Sequence, residues 1–127
     1  MTRIPTLFFA TGAVFVLIGM AWGIQMSASQ DFKLSPAHAH LNLIGFVVMS
    51  VFGTFYALNP PAASSRLAMP HYALSVVAVL VLVPGIVMAV RETGETLAKL
   101  GSFLAIASAA VYLVVILRHG FRQAAKA

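Results

Sequence analysis

Two histidines two residues apart, His38 and His40, stand at the head of a long apolar run in Ser35-Pro36-Ala37-His38-Ala39-His40-Leu41-Asn42-Leu43. Imidazole in its neutral form ligates metals, and ionisable side chains inside apolar spans point by default to function. The spacing limits the chemistry. Residues two apart on a helix diverge by about 200°, so one metal ion is out of reach of both rings, while two centres on opposite sides of the helix are not. Pro36 suits a first helical turn and Ser35 an N-cap, which starts the helix here. Projected on that helix, His38, Asn42, Gly45, Met49, Gly53 and Tyr56 share one face, whose two glycines leave room for a flat cofactor. His40, Leu43, Ile44, Val47, Val51 and Phe55 share the other, which is apolar.

The remaining residues add less. His71 and His119 fall at the ends of apolar runs and read as interfacial rather than ligating. Met20, Met26, Met49 and Met88 are possible soft copper ligands, though Met is more often adaptable packing. Arg91 or Lys99 is placed to pair with an anionic cofactor group, the alternative being a solvated loop. Trp22, Tyr56, Tyr72 and Tyr112 read as packing or interfacial belt residues. The chain has no cysteine, which removes thiolate metal sites, iron–sulfur clusters and covalent haem attachment. No nucleophile–base pair, phosphate-binding loop or zinc-protease motif is present, so no residue is assigned a catalytic role.

The elements that position these residues are legible from composition. Of 127 residues, 61% are apolar and 9% charged, with a net charge of +5. Soluble domains carry about 25% charged residues, so the chain has too few to cover a water-facing surface. Four apolar runs, about 4–26, 36–58, 71–90 and 97–117, each approach the ~20 residues that cross a bilayer as a helix. The expected fold is all-α: a single domain forming an integral-membrane four-helix bundle. The first run is too long for the apolar core of a signal peptide, and reads as a genuine span.

Basic residues mark the orientation. Arg3, Arg66, Arg118, Arg122 and Lys126 fall on the side of both termini with no acid among them. Lys33, Arg91 and Lys99 fall opposite, offset by Asp31, Glu92 and Glu95. Both termini are therefore expected in the cytoplasm of a bacterial-type inner membrane. The cations are scattered singly, which argues against nucleic-acid binding. Gly19 and Gly23, and the stripe Gly101, Ala105 and Ala109, suit close helix approach within one bundle, and Pro84 should kink the third helix.

The segment His38-Ala39-His40-Leu41-Asn42-Leu43 resembles the haem-ligating helices of subunit I of the haem-copper oxidases and nitric oxide reductases. His40-Leu41-Asn42-Leu43 is similar to the His-Thr-Asn-Leu opening of a second helix in the reductase branch. His38-Ala39-His40 is similar to a His-x-His segment whose imidazoles serve two haems. The match covers about ten residues, with weaker similarity over the first two helices. The resemblance implies b-type haem held by His38 and His40, with Asn42, Gly45, Met49 and Gly53 lining the site. It also implies one four-helix arc of a twelve-helix ring, which a homotrimer would rebuild. The partners implied are membrane lipid, further copies of the chain and a respiratory electron donor. The further histidines of that family's oxygen-reducing centre have no counterpart here, so oxygen reduction is not expected. Electron transfer, gas sensing or haem handling is. The alternatives are a copper- or other metal-handling membrane protein without haem, and a structural subunit of a respiratory complex.

Overall fold

A computed structural model describes residues 3–120. Arg122 and Lys126, counted above for orientation, lie outside the described residues. Four long helices, α1 (Ile4–Ser29), α2 (Ser35–Leu58), α4 (Ala68–Val90) and α5 (Thr96–His119), are each long and apolar enough to cross a membrane. A single-turn helix, α3 (Pro60–Ala63), sits in the loop between α2 and α4. This is an all-α chain with the design of a multi-pass membrane protein.

The ends differ from expectation in small, explicable ways. Ser35 does not cap α2, because its hydroxyl donates back to the Phe32 carbonyl at 2.7 Å and closes the preceding turn. Leu34 takes the cap position, and α2 opens with Pro36 in its first turn as expected. Helix α4 begins three residues before the expected His71, at Ala68, because a tight turn (Ala68 N–H to Ser65 carbonyl, 3.3 Å) feeds directly into it. Pro84 lies within α4, which is helical from Ala68 to Val90. Inside α2, Leu43–Val47 adopts π-helical bonding, a local widening that is frequent at functional sites.

The long helices pack as two antiparallel pairs, α1 with α2 and α4 with α5, and α4 bridges them. The α4–α5 contact is backbone to backbone. A Cβ on Gly101 would stand 2.5 Å from Leu82 Cα, and one on Gly85 would stand 2.5 Å from Ala98 N. Small residues permit this where no hydrophobic force draws helices together in lipid. In the opposite pair Gly19 and Gly23 instead make room for side chains, those of Asn42 and His38. Both small-residue motifs thus serve packing within the protomer.

Two clusters fill the interior. Near the ends that carry the termini, Phe8, Met49, Phe52, Phe55, Tyr56 and Val115 are buried together. Towards the other end Phe15, Ala37, Leu41, Val79 and Val83 form a smaller cluster, flanked by Trp22. Between α2 and α5 the pairs do not close, and Tyr112 of α5 reaches across to Phe52 with ring centroids 4.5 Å apart.

Candidate functional site

The first turns of α2 send His38 and His40 in opposite directions, as the spacing requires. His38 is half-buried against α1, its ring edge-on to Trp22 with centroids 6.1 Å apart. A Cβ on Gly23 would come within 3.1 Å of its Cε1. The Asn42 amide, one turn on, donates to His38 Nε2 at 3.3 Å. In that arrangement His38 Nδ1 and Asn42 Oδ1 are buried without hydrogen-bond partners. Turning the amide over lets Nε2–H donate to Oδ1 but still leaves buried polar atoms unpaired, so the pair is under-satisfied either way.

His40 is exposed. Its Nδ1–H donates to the Pro36 carbonyl oxygen, one turn back, at 2.7 Å. That bond selects the tautomer whose Nε2 carries the lone pair and holds the ring still. Backbone carbonyls orient metal-ligating imidazoles in this manner. The exposed ring shares its helix face with the exposed apolar side chains of Leu43, Val47 and Val51. The donor set fits a group that takes a neutral imidazole ligand from the membrane side of α2.

The space expected at the glycines is filled. Gly45 lies against the Phe15 ring and Gly53 against Phe8 and Phe9, with a Cβ at either coming within 3.0–3.1 Å of those side chains. Met49 is 1% exposed. The face bearing His38, Asn42, Gly45, Met49, Gly53 and Tyr56 is therefore the α1-packing face, and its glycines make room for phenylalanines rather than for a flat cofactor. On the other face His40, Leu43, Val47 and Val51 are exposed and Ile44 is half-buried. Phe55 departs from the expected face, turning inward to Tyr56 and Tyr112 at ring distances of 6.1 and 5.7 Å.

His71 corrects the sequence reading most. It sits in the first turn of α4, yet it is 0% exposed, enclosed by the other helices rather than facing the surface. The Tyr56 hydroxyl and its Nδ1 share a hydrogen bond of 2.9 Å. Phe52 lies 4.6 Å away centroid to centroid, Phe8 5.5 Å, and Tyr112 stacks at 6.1 Å with the planes 18° apart. Its carbonyl accepts from Ser75, whose hydroxyl also meets that of Ser108 on α5 at 2.6 Å. Tyr72, next in the chain, bonds Thr11 of α1 at 2.6 Å. Polar side chains thus tie α4 to all three other long helices around one aromatic cluster. Sequence reasoning missed this centre. The crowding of aromatic residues at 52, 55, 56, 71 and 72 was visible, but nothing along the chain pairs Tyr56 with His71.

Elsewhere the chemistry is sparse. Among the described residues no three His, Asp or Glu side chains converge to hold a metal ion. Met26 and Met49 are buried, whereas Met20 and Met88 face outward. Lys99 pairs with Glu95, one turn away, at 3.4 Å with both side chains over 70% exposed, a solvated pair of little energetic consequence. Comparison of the chain with protein-family models, with curated proteins and with solved structures finds no match in any of the three.

Proposed function

We propose that the chain is a haem-binding protein of a bacterial-type inner membrane, with both termini cytoplasmic and b-type haem held on the outward face of α2 by His40. One observation carries this reading. His40 Nδ1–H is anchored on the Pro36 carbonyl, which leaves Nε2 as a fixed acceptor on an exposed apolar face. The resemblance of His38-Ala39-His40-Leu41-Asn42-Leu43 to the haem-ligating helices of the oxidase and nitric oxide reductase family supplies the identity of the cofactor. His38 has a different part: it fixes the first turn of α2 against Trp22 and Gly23 and so aims His40. Leu43 and Val47 offer apolar surface to a flat ring system.

His40 of one protomer would hold the group from one side, and a second imidazole would have to come from another copy of the chain. The homotrimer implied by the resemblance supplies it. Two imidazoles on the haem would suit electron transfer, and gas sensing or haem handling would rely on His40 alone. The test is a dithionite-reduced minus oxidised visible spectrum of detergent-purified protein expressed with added haem. Sharp low-spin α and β bands, lost in His40→Ala, support the proposal. A featureless spectrum refutes it, and metal analysis of the same sample then separates metal handling from a structural role in a respiratory complex.

A further inference from the structure

At the end of the protein that carries both termini, residues 58–61 and 118–120 enclose a pocket of ≈ 380 Å³. Arg118 and His119 line it, and Arg118 is exposed and forms no ion pair among the described residues. All three acids of the chain, Asp31, Glu92 and Glu95, lie at the opposite end. The other polar side chain in the pocket is committed to structure. Asn59 accepts from Ala62 N–H at 3.2 Å and donates to the Gly120 carbonyl, which clamps α5 to the α2–α3 corner. The site therefore offers positive charge with no competing acidic side chain among the described residues.

Leu58 belongs also to a second cavity, an apolar groove of ≈ 510 Å³ in the cleft between α2 and α5. Thr54, Val51, Val47 and Phe46 run along its length, and Tyr112 forms the far wall. The hydroxyl of Thr54 is turned back onto the Ser50 carbonyl at 2.7 Å, which removes the groove's nearest polar donor. From Leu58 to Phe46 the helix rises by about 18 Å at 1.5 Å per residue. One leaflet of hydrocarbon is about 15 Å deep. A cationic pocket at one end of the helices thus lies beside an apolar groove about one leaflet long, with Leu58 lining both.

We propose that this composite cavity binds an anionic phospholipid, its phosphate on Arg118 and His119 and one acyl chain along α2 beneath Tyr112. Basic pockets between membrane helices recognise acidic headgroups in this way. The lipid fills the cleft left where the helix pairs fail to close and ties α5 to α2. Its headgroup site lies at the end of α2 opposite His40, and the acyl chain meets the surface proposed for haem at Val47, so the Arg118 arm of the test is the one independent of the haem.

The test is native mass spectrometry of the detergent-purified chain with phosphatidylglycerol and phosphatidylcholine of matched acyl chains. The wild type should retain phosphatidylglycerol roughly fivefold better, the contribution of one surface cation. Arg118→Gln, at an exposed position that leaves helical content unchanged, should abolish that preference. Val51→Trp, which fills the groove, should lower retention of both lipids, and glycerol phosphate should not compete. Equal retention of the two lipids by the wild type overturns the proposal, as does a preference that survives Arg118→Gln. Competition by glycerol phosphate would make this a site for free anions. Loss of an oligomer in Val51→Trp, with lipid retention unchanged, would assign the groove to a second copy.

Discussion

The Tyr56–His71 hydrogen bond can be weighed by removing each partner and then both. Tyr56→Phe deletes only the hydroxyl that is hydrogen-bonded to His71 Nδ1 at 2.9 Å. The ring keeps its stacking on Phe8, with centroids 5.5 Å apart and planes 17° from parallel. His71 Nδ1 is then stranded, in a residue whose Nε2 already lacks a partner. Stranding a buried polar group costs ~1–3 kcal/mol, while interhelical hydrogen bonds in membrane proteins average ~0.6 kcal/mol. The fully buried setting puts the expected loss at about 1–2 kcal/mol. His71→Phe should cost a similar amount by stranding the Tyr56 hydroxyl. The double variant fills the same space with rings and leaves neither group unsatisfied, so it should be more stable than the sum of the two losses by about 1 kcal/mol or more. Reversible unfolding in mixed micelles, followed by far-ultraviolet circular dichroism, measures all four proteins. A neutral Tyr56→Phe, or strictly additive losses, would refute the assignment of this pair as a buried structural tie. The haem spectrum should be unchanged throughout, since His71 and His40 belong to opposite ends of the helices.

Other outcomes follow from the same geometry. His38→Ala should retain low-spin haem bands that His40→Ala loses, while destabilising the α1–α2 contact by about 1–2 kcal/mol; loss of haem in both would return His38 to the ligand set. Gly101→Leu should separate α5 from α4, because its Cβ meets the Leu82 backbone at 2.5 Å rather than a movable side chain. Overpacking of ~1–3 kcal/mol should appear as faster proteolysis at the α4–α5 loop, and wild-type cleavage would contradict so close a contact. Gly19→Leu should push Asn42 aside, since even a Cβ there would overlap its Oδ1. That should lower the melting temperature by several degrees in a detergent thermal-shift assay, and an unchanged temperature would place α1 further from α2 than described.

Much of the architecture was written along the chain because lipid leaves so few options. A backbone in hydrocarbon must satisfy its own hydrogen bonds, so four apolar runs of about 20 residues become four helices whatever their neighbours. Their ends were legible to within a few residues, and the errors came from short-range bonds, such as the Ser35 hydroxyl closing on Phe32. The divergence of His38 and His40 is likewise helical geometry and nothing more. Gly19 and Gly23 announced a close contact, although not which side chains would occupy it.

Which face of α2 packs against protein was beyond the sequence, because each face carries a histidine among apolar residues and in a membrane polarity does not mark the inside. Only the packing showed that Gly45 and Gly53 receive Phe15 and Phe8, leaving the outward face to His40. His71 shows the same limit more sharply. Its place in the first turn of α4 suggested an interface, but the chain folds back so that Tyr56, Phe52, Phe8 and Tyr112 close around it. Burial of that ring is a property of three other helices. The chain by itself determined where helices form and how far apart their side chains point; tertiary structure alone decided which polar groups found partners, because those partners are distant in sequence and the lipid enforces no choice among apolar faces.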